Sequence, residues 1–449
     1  MVYFMLRNML QYMIVSILVI VSILFGYLVS SICVCIIVNI LGPHAITNVS
    51  IDRLITGTIL FQSIYTFLNL YYIVNIDKIF SVEKKDQLKH SPDRLPYISV
   101  IIPAYNEEDF IGKTIESVLN SCYPRSKLEV IVIDDGSTDN TYLEALRYPV
   151  KIIRLPRNMG KGRAIEIGIS RSSGEIIVVL DADTIVYRDS LIKIVEPFID
   201  DERVGAVCGR LEIDRGKGVI GKGQYVEYAY NYTYTRNMLN LLGIMVMSGG
   251  AFSAYRREAV EGVSISDTVA EDLDLCLHVI ERNYRLLYKW DAVAHTDTPK
   301  TVGDLIRQRI RWTMGGIQVI VKHCRSIFSR YTGLSRIIGF LYYSIMGISI
   351  PLIEILGLLY LLLIGLVKIL CCPPSIAIIY AFLSWILIIK IIALPFIVLG
   401  IYYSNKIYGE EIGITDVVLY WFVYYYILLY ARLRGVITYL NKVVTRQGV

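Results

Sequence analysis

Two aspartates follow directly after a short apolar run in the middle of the sequence. The run Ile176–Leu180 leads into Asp181, and Asp183 follows after one alanine. Alternate residues of a strand point to the same side, so both carboxylates can converge on one hard cation where the strand ends. Mg²⁺ or Mn²⁺ held in this way commonly binds the diphosphate of a nucleotide. Because Asp-x-Asp also occurs by chance in ordinary turns, this motif alone does not establish a site.

A polar loop follows another apolar run nearer the N-terminus. Segment 100–108 begins as a strand-like run and opens after Pro103 into a loop that contains Tyr105, Asn106 and Glu107. The Tyr105 ring and the polar side chains beside it could hold a nucleoside through stacking and hydrogen bonds. Taken alone, an ordinary turn between a strand and a helix explains the segment better.

Two further segments could contact a nucleotide. The run 130–133 ends in Asp134 and Asp135, and Gly136 gives the turn its backbone freedom, which suits hydrogen bonding to a uracil or ribose edge. The polar residues after this turn could equally cap the next helix. Lys161 lies between two glycines and could meet a diphosphate as a point charge, although a lone glycine-lysine turn is a weak signal.

Acidic residues open a predicted helix near position 271. Glu271, Asp272 and Asp274 stand at the start of a stripe with helical spacing. Acids in a first turn often do no more than complement the helix dipole. The same dipole keeps Asp272 ionised, so this carboxylate is able to accept the proton of an attacking hydroxyl, as a general base must.

A basic amphipathic stretch covers residues 301–336 and carries many arginines and lysines against a single acid. Its pattern predicts one or more helices lying in a membrane interface. Gln308, Arg309, Arg311 and Trp312 lie within it. Arginines can bind a leaving diphosphate bidentately and an indole face can carry a sugar ring. An arginine-tryptophan anchor at lipid headgroups is the alternative.

The segment between residues 98 and 294 has the pattern of an α/β domain. Short apolar runs alternate with helical patterns, which indicates a mostly parallel sheet covered on both faces. Ligands of such sheets bind at the carboxyl ends of the strands, where the acidic residues of this chain accumulate. The pattern predicts strands at 98–102, 130–133, 152–153 and 176–180, and a helix at 109–120.

The composition predicts a membrane protein. Apolar residues make up 54% of the 449 residues, and membrane-length apolar stretches lie at 13–41, 55–76, 335–370, 376–402 and 415–439. The basic linker 77–97 favours the cytosolic side for the domain that follows it. The expected organisation is two transmembrane helices in 1–80, a cytosolic domain in 81–300, interfacial helices in 301–336 and about three transmembrane helices in 337–449.

The charges near the C-terminus leave the topology open. Three C-terminal spans would place the chain end outside the cell, whereas Arg432, Arg434 and Lys442 favour the inside. Glu354 and Lys390 lie within apolar stretches and are candidates for lining a product path or for a structural ion pair. A net charge of +5 gives no reason to expect a nucleic-acid partner. The eight scattered cysteines have no zinc-site or disulfide spacing, which favours reduced thiols.

Six elements appear once each along this part of the chain: a nucleoside loop, an acidic turn, a lysine loop, an aspartate pair, an acidic helix start and an arginine-tryptophan helix. In this order they resemble the membrane-embedded, inverting family 2 glycosyltransferases, which include hyaluronan, chitin, cellulose and poly-N-acetylglucosamine synthases. The last type is the most similar. The resemblance implies a GT-A type domain that takes a UDP-sugar with Mg²⁺ or Mn²⁺ and extends a polysaccharide or a lipid-linked acceptor at the cell membrane. It identifies neither the sugar nor an accessory subunit.

The resemblance also implies roles for individual residues. Asp272 would deprotonate the acceptor hydroxyl. Two positions depart from the family pattern, because Ala270 replaces a frequent threonine and Arg309 replaces a frequent glutamine. The donor nucleotide would be bound by Pro103, Tyr105, Glu107, Asp134, Asp135, Lys161 and Asp181, and the metal by Asp181 and Asp183. The diphosphate and the acceptor would be contacted by Gln308, Arg309, Arg311, Trp312, Gly249, Gly250 and Glu271.

Two other functions fit parts of the same pattern. A transferase that adds one sugar to a polyprenyl phosphate or another lipid would share the sheet and the aspartate pair, but the arginine-tryptophan element favours polymer extension. A non-catalytic membrane protein with a degenerate site would lack at least one of the acids, and none of them is missing.

Overall fold

The computed structural model describes residues 70–72, 75, 91–247, 249–328, 333–345, 347, 397–409 and 411–445. The chain divides into two compact units, one formed by Met1–Asp86 with Glu354–Tyr403 and the other by Gln87–Ile353 with Ser404–Val449. Of the first unit, the described residues 70–72, 75 and 397–403 are helical. Every element named below belongs to the second unit.

One mixed sheet of eight strands forms the core of the second unit. Its strand order is β3-β2-β1-β4-β7-β6-β8-β5. Strand β1 pairs in parallel with β2 and β4, β2 with β3, and β6 with β8, whereas β7 and β5 pair antiparallel to their neighbours. The mostly parallel sheet predicted from the sequence is therefore confirmed, with antiparallel strands in one half. The strands are β1 Ile98–Ala104, β2 Leu128–Asp134, β3 Lys151–Arg154, β4 Ile176–Leu180, β5 Thr184–Val186, β6 Val204–Glu212, β7 Phe252–Arg256 and β8 Arg285–Thr296.

The apolar runs become strands because helices cover both faces of the parallel half. All residues of β1 and β4 are buried, as expected for central strands of a covered parallel sheet. Strand β3 is shorter and has exposed ends, which fits its place at the sheet edge. The predicted strands at 98–102, 130–133, 152–153 and 176–180 are all present, with ends shifted by a few residues.

Helices fill the connections between the strands. The predicted helix at 109–120 is present as α1 (Ile111–Leu119). A π-helical turn, Asn231–Thr235, joins α5 (Gly218–Tyr230) to α6 (Arg236–Leu241), and a second, Tyr420–Tyr424, lies within α11 (Ile414–Val444). The helices are α1 Ile111–Leu119, α2 Thr141–Ala145, α3 Lys161–Arg171, α4 Ser190–Asp200, α5 Gly218–Tyr230, α6 Arg236–Leu241, α7 Arg257–Val260, α8 Glu271–Glu281, α9 Val302–Ile327, α10 Leu334–Ser344 and α11 Ile414–Val444.

The basic stretch predicted to be helical forms the long helix α9 and the start of α10. Helix α9 begins where the Thr301 hydroxyl accepts a hydrogen bond from the Asp304 N–H at 3.1 Å, a standard N-cap. Within 301–336 the structure describes helix at 302–327 and from 334 onward, and the location of these helices in a membrane interface stays a prediction.

Among the described residues, α11 is the one helix long and apolar enough to cross a membrane, judged by length and composition alone. It contains the predicted apolar stretch 415–439. The other four predicted stretches lie wholly or mostly outside the described residues, and so do Glu354 and Lys390. The multi-helix membrane bundle therefore remains an expectation from the sequence.

Candidate active site

The carboxyl ends of three parallel strands meet at one edge of the sheet. Ala104 at the end of β1 lies opposite Asp134 at the end of β2, and β4 runs alongside β1 with Val179 opposite Ile101. The loops that follow these strands therefore start from one edge. This arrangement brings together the nucleoside loop, the acidic turn and the aspartate pair that are far apart in the sequence.

Lys161 connects two other predicted site residues. Its Nζ lies 2.7 Å from Asp181 Oδ1 and 2.9 Å from Glu271 Oε1. Burial opposes the charge of the ammonium, but the two carboxylates outweigh burial and raise the pKa of Lys161 above its ordinary value. Burial alone would raise the pKa of Glu271, but the nearby ammonium lowers it. The lysine loop, the aspartate pair and the start of α8 thus meet at one point.

Asp183 has the surroundings of a cation ligand. The hydroxyls of Thr184 and Thr296 lie 3.2 and 3.5 Å from its Oδ1 atom. Burial, and then the negative charge of Asp181, raises the pKa of Asp183 to about 6. Two partly buried carboxylates that repel each other form an oxygen donor set that fits Mg²⁺ or Mn²⁺, because a cation between them would relieve the repulsion.

Asp272 is the second residue of α8 and borders the glycine segment. Burial, and then the negative charge of Glu271, raises the pKa of Asp272 to about 6. Gly250 has a φ of 67°, and a Cβ atom at this position would lie 3.0 Å from Asp272 Oδ2. A Cβ atom on Gly249 would lie 3.2 Å from the Tyr232 hydroxyl. The glycines therefore leave room beside the predicted base, in accord with a predicted acceptor path.

Asp135 shapes the loop that carries Lys161. Its carboxylate accepts hydrogen bonds from the N–H groups of Met159 at 2.7 Å and Gly160 at 2.9 Å. The Asp134 carboxylate is fully buried and is also engaged within the protein, by a backbone N–H and a guanidinium. Both aspartates therefore hold neighbouring loops of the protein in place, and their contact with uridine stays a prediction.

The predicted nucleoside loop lies at the same edge. Pro103 is buried within β1, whereas Tyr105 is 43% exposed and free to offer its ring to a ligand. Burial, and then the charges of Asp183 and Asp181, raises the pKa of Glu107 to about 7. Glu107 therefore shares the acidic environment of the aspartate pair.

Arg309 is held below the indole of Trp312. Its Nη2 atom lies 2.7 Å from Glu227 Oε2, and the Tyr424 hydroxyl donates to the same oxygen at 2.6 Å. The guanidinium carbon lies 3.9 Å from the centroid of the Trp312 ring. Arg309 is only 5% exposed, whereas Trp312 is 44% exposed. In this arrangement Arg309 supports the tryptophan, and its predicted contact with a diphosphate or acceptor remains untested.

The next turns of α9 contact the segment that leads into α8. A Cβ atom on Gly315 would lie 2.7 Å from Ala270 Cβ, and the Val269 N–H donates to Gln318 Oε1 at 3.2 Å. Of the predicted residues one to two turns earlier on this helix, Arg311 is near enough for its charge to contribute to lowering the pKa of Glu271, after the larger effect of Lys161. Arg311 is exposed, and the Gln308 side-chain oxygen is buried without a hydrogen-bond partner in the part of the chain that the structure describes.

A cavity of about 260 Å³ lies beside strands β5 and β8. Tyr187 lines it just after β5, and His295 lines it next to Thr296 of β8. The rings of Tyr228 and Tyr232 form another wall. Aromatic side chains with a few polar groups between them are a common lining of pockets that bind small molecules.

Some residues of the site were not predicted from the sequence. Glu227 and Tyr424 carry no local motif, and they meet Arg309 only because α5, α9 and α11 pack together. Thr184 and Thr296 come from β5 and β8, which are paired antiparallel at the sheet edge. Only the position of Thr184, directly after the aspartate pair, offered a signal.

The sheet is of the GT-A type, and its carboxyl edge gathers most of the residues predicted for the site. Residues 99–263 match the family model described as glycosyl transferase family 2. The chain is 33% identical over 271 residues to the poly-beta-1,6-N-acetyl-D-glucosamine synthase of Staphylococcus aureus (strain MSSA476), covering 58% of this chain and 64% of that protein. The synthase of Staphylococcus epidermidis is 30% identical over 267 residues, covering 57% and 64%.

A solved structure supports the fold over most of the chain. The mannosyltransferase PcManGT from Pyrobaculum calidifontis, in complex with GDP-Man and Mn²⁺, superposes with a TM-score of 0.55 at 19% identity, covering 92% of this chain and 99% of that one. The chain spans just under two thirds of the length of its staphylococcal relatives. Residues 99–263 thus match the glycosyl transferase family 2 model, and the predicted resemblance to the poly-N-acetylglucosamine synthase type is confirmed.

Proposed function

We propose that this protein is an inverting glycosyltransferase that transfers N-acetylglucosamine or a related hexose from a UDP-sugar to the end of a growing polysaccharide. The named activity of the staphylococcal relatives supports a polysaccharide product and N-acetylglucosamine as the sugar. The protein resides in the cell membrane with its catalytic domain in the cytosol, where UDP-sugars are made. Synthesis is coupled to movement of the product across the membrane.

The contact that carries this proposal is the bridge from Lys161 to Asp181 and Glu271. It joins three motifs that are each weak alone and that are separated by 20 to 110 positions in the sequence. A lysine between an acid of the predicted metal pair and an acid beside the predicted base is well placed to meet a diphosphate. A domain that only bound a protein partner would not require a lysine and two carboxylates to meet at the sheet edge.

The chemistry is a single displacement at the anomeric carbon of the donor sugar. Asp272 accepts the proton of the acceptor hydroxyl as this oxygen attacks, and its raised pKa makes it a better base than an ordinary aspartate. Because only one displacement occurs, the configuration at the anomeric carbon inverts. Gly250 keeps the space beside the carboxylate open for the hydroxyl.

The leaving UDP carries negative charge that the site must neutralise. Lys161 and the exposed Arg311 supply positive charge from the protein. Mg²⁺ or Mn²⁺ held by Asp181 and Asp183 would stabilise the diphosphate as a Lewis acid. Trp312, supported by Arg309, offers its exposed indole face to the acceptor sugar.

The test is a donor screen with the full-length protein purified in detergent. Purified protein is incubated with radiolabelled UDP-N-acetylglucosamine, UDP-glucose, UDP-galactose or GDP-mannose with Mg²⁺ or Mn²⁺, and nucleotide release and product size are measured. We expect release of UDP from one UDP-sugar and a ladder or polymer of product. Chelation by EDTA and the double change Asp181→Asn with Asp183→Asn should each abolish both signals.

The size of the product decides between polymer synthesis and the single-addition alternative. One labelled sugar on a lipid would replace the polysaccharide proposal with a lipid glycosyltransferase. Preference for GDP-mannose would overturn the assignment of the donor. Release of no nucleotide from any donor would favour a non-catalytic role.

A further inference from the structure

A second cluster of ionisable side chains lies between α8 and α9, away from the aspartate pair. It consists of Asp274, His278 and Glu281 on α8 and His323 on α9. Two positions along an α-helix correspond to a rotation of about 200°, so Asp274 points away from the side of α8 that carries Asp272. The proposed glycosyl transfer makes no use of this cluster.

The two helices build the cluster in a regular way. Asp274, His278 and Glu281 are spaced four and three residues apart, which places them in a row on one face of α8. His323 approaches this row from α9 and is 2% exposed. Its ring lies with its edge toward the His278 ring, with the two centroids 4.7 Å apart.

Both histidine rings turn their Nε2 atoms toward Asp274 and their Nδ1 atoms toward Glu281. His323 Nε2 lies 2.7 Å and His278 Nε2 3.4 Å from one atom, Asp274 Oδ1. On the opposite side of the rings, His323 Nδ1 lies 2.6 Å from Glu281 Oε1, and His278 Nδ1 lies 3.3 Å from Glu281 Oε2. The Glu281 carboxylate therefore faces both Nδ1 atoms. The Asp274 carboxylate and both Nε2 atoms converge on one point.

This order is the arrangement that proteins use around a bound metal. Histidine ligands commonly donate their second ring N–H to a carboxylate, which fixes the tautomer and the direction of the coordinating nitrogen. Here Glu281 takes the position of the orienting carboxylate. One potential ligand atom each from Asp274, His278 and His323 lies within 4.8 Å of the others.

The net charge of the cluster is negative, which favours binding of a cation. Asp274, Glu281 and the more exposed Asp267 are three carboxylates, whereas Lys322 is the lysine that reaches them, with its Nζ 2.9 Å from Asp274 Oδ2 and 2.7 Å from Asp267 Oδ1. With neutral imidazoles this leaves two negative charges. Lys322 occupies the second oxygen of Asp274 and leaves Oδ1 to the histidines.

We propose that Asp274, His278 and His323 bind a divalent transition-metal ion of the Zn²⁺ type, with Glu281 orienting both imidazoles. Two imidazoles and one carboxylate suit Zn²⁺ or Co²⁺, whereas the oxygen-only pair Asp181 and Asp183 suits Mg²⁺ or Mn²⁺. The ion balances the two negative charges. It fastens α9, which carries Trp312, to α8, which begins with Glu271 and Asp272.

The test uses the full-length, tag-free protein in detergent after removal of metals by dialysis. Titration with Co²⁺ should give one equivalent of bound ion with visible d–d absorption, and Zn²⁺ should displace it. The double variant Asp181→Asn with Asp183→Asn should bind Co²⁺ like the wild type, because that pair is a different site. These measurements do not depend on glycosyl transfer, so they hold whether or not the proposed activity is found.

Single substitutions locate the ion. His278→Gln and His323→Gln should lose the absorption, and Glu281→Gln should weaken Co²⁺ binding about 10–100-fold. His295→Gln is the matched control, because His295 contacts Asp214 elsewhere and should keep full binding. If His323→Gln fails to fold because His323 is buried, the more exposed His278 still decides the test.

Two results would overturn the proposal. One is a wild-type protein that binds neither Co²⁺ nor Zn²⁺ in a fixed ratio and whose thermal unfolding is unchanged by Zn²⁺, which would assign the cluster to a network of protonated histidines and carboxylates. The other is equal binding by the His278→Gln and His295→Gln variants, which would place the ion elsewhere.

Discussion

The decisive residue of the proposed reaction is Asp272. Its carboxylate lies beside Gly250 and one position after Glu271, whose charge adds to the effect of burial. Both effects raise the pKa of Asp272 to about 6. At neutral pH this carboxylate is therefore still ionised, yet it holds a proton more readily than an exposed aspartate. A general base works best when its pKa lies close to the working pH.

The change Asp272→Asn tests this role directly. The amide cannot accept a proton, so turnover should fall by about 10²–10⁴-fold while the dissociation constant for UDP changes little. UDP release and UDP binding by calorimetry are the two measurements. Asp93→Asn is the control, because Asp93 is exposed in the short turn Pro92–Arg94 and should leave both values unchanged. Normal turnover by the Asp272 variant would assign the base to another group.

The pH dependence of turnover has a defined sign. The carboxylate of Asp272 must be deprotonated to act, so the rate should be constant above its pKa of about 6 and fall as the pH decreases below it. The decrease should approach about tenfold for each pH unit. Initial rates between pH 5 and 8 at saturating metal and donor measure this profile. A rate that rises on acidification would contradict the assignment.

Much of the site could be predicted because its residues follow their strands or open their helices. Asp181, Lys161 and Asp272 each belong to a local pattern, and the sheet brings such patterns to one edge. Glu227 could not be predicted, because its partner Arg309 is 82 positions away and the contact depends on how three helices pack. The row of Asp274, His278 and Glu281 was not predicted either, because its partner His323 lies 42 to 49 positions away in the sequence.

At the scale of elements, helix α9 sets the position of the active-site groups. Gly315 lets the helix backbone approach Ala270, directly before Glu271 and Asp272. One turn earlier, Trp312 stacks on Arg309. The close approach depends on the absence of a side chain at position 315, because a Cβ atom there would meet backbone as well as side-chain atoms.

The change Gly315→Ala should therefore displace α9 from α8. A Cβ atom 2.7 Å from Ala270 Cβ and 2.9 Å from its N atom requires a shift that costs roughly 1–3 kcal/mol. A displacement of about 1 Å at the active site can reduce turnover up to about 100-fold. Thermal unfolding and UDP release are the measurements. In the same helix, Gly303→Ala is the control, because its Cβ atom would meet nothing closer than 3.5 Å.

The pair Arg309–Glu227 should make a large contribution to the packing of α5 on α9. The two side chains are 6% and 12% exposed, so Glu227→Gln would leave the buried guanidinium without its counter-charge. Loss of one member of a buried pair costs about 3–5 kcal/mol. The matched control is Glu144→Gln, whose partner Arg147 has a side chain that is 70% exposed, and the expected cost is below about 1 kcal/mol. Equal unfolding midpoints for the two variants would show that the buried pair is not needed.

The parallel half of the sheet could be predicted because its strands are continuous apolar runs. Strands β5 to β8 were not predicted, for physical reasons. Strand β5 has only three residues, and β8 alternates buried with partly exposed positions over Arg285–Thr296, including charged residues. Their pairing, parallel between β6 and β8 and antiparallel elsewhere, depends on contacts between distant segments, such as Leu180 with Phe252, that no local pattern records.

At the scale of the whole molecule, the contacts of α11 help to decide whether this helix crosses the membrane. Its apolar composition alone predicts a span. However, Asp416 near its start pairs with Lys222 at 3.0 Å, and Gly435 near its end contacts Thr313 of α9. Along most of its length the helix thus packs against the glycosyltransferase domain. We expect it to lie along the cytosolic face of the membrane rather than to cross the bilayer.

This placement would resolve the conflict between the span count and the charges of Arg432, Arg434 and Lys442, because two remaining C-terminal spans return the chain end to the cytosol. The substitutions Glu411→Cys and Thr445→Cys place one cysteine before the start of α11 and one after its end. In intact cells neither should react with a membrane-impermeant maleimide, and both should react after permeabilisation. Reaction of one alone from outside would show that the helix crosses the membrane.

Helix α9 carries three contacts in succession: Arg309 to α5, Gly315 to the segment before α8, and His323 to α8 itself. Each added or deleted residue in an α-helix turns everything beyond it by about 100° and moves it by about 1.5 Å. An insertion between Gly315 and His323 would therefore turn the histidine away from its partners even if every side chain were kept. Between Arg309 and His323 we therefore expect this helix to accept substitutions more readily than insertions or deletions, whereas exposed connections elsewhere in the domain can lengthen.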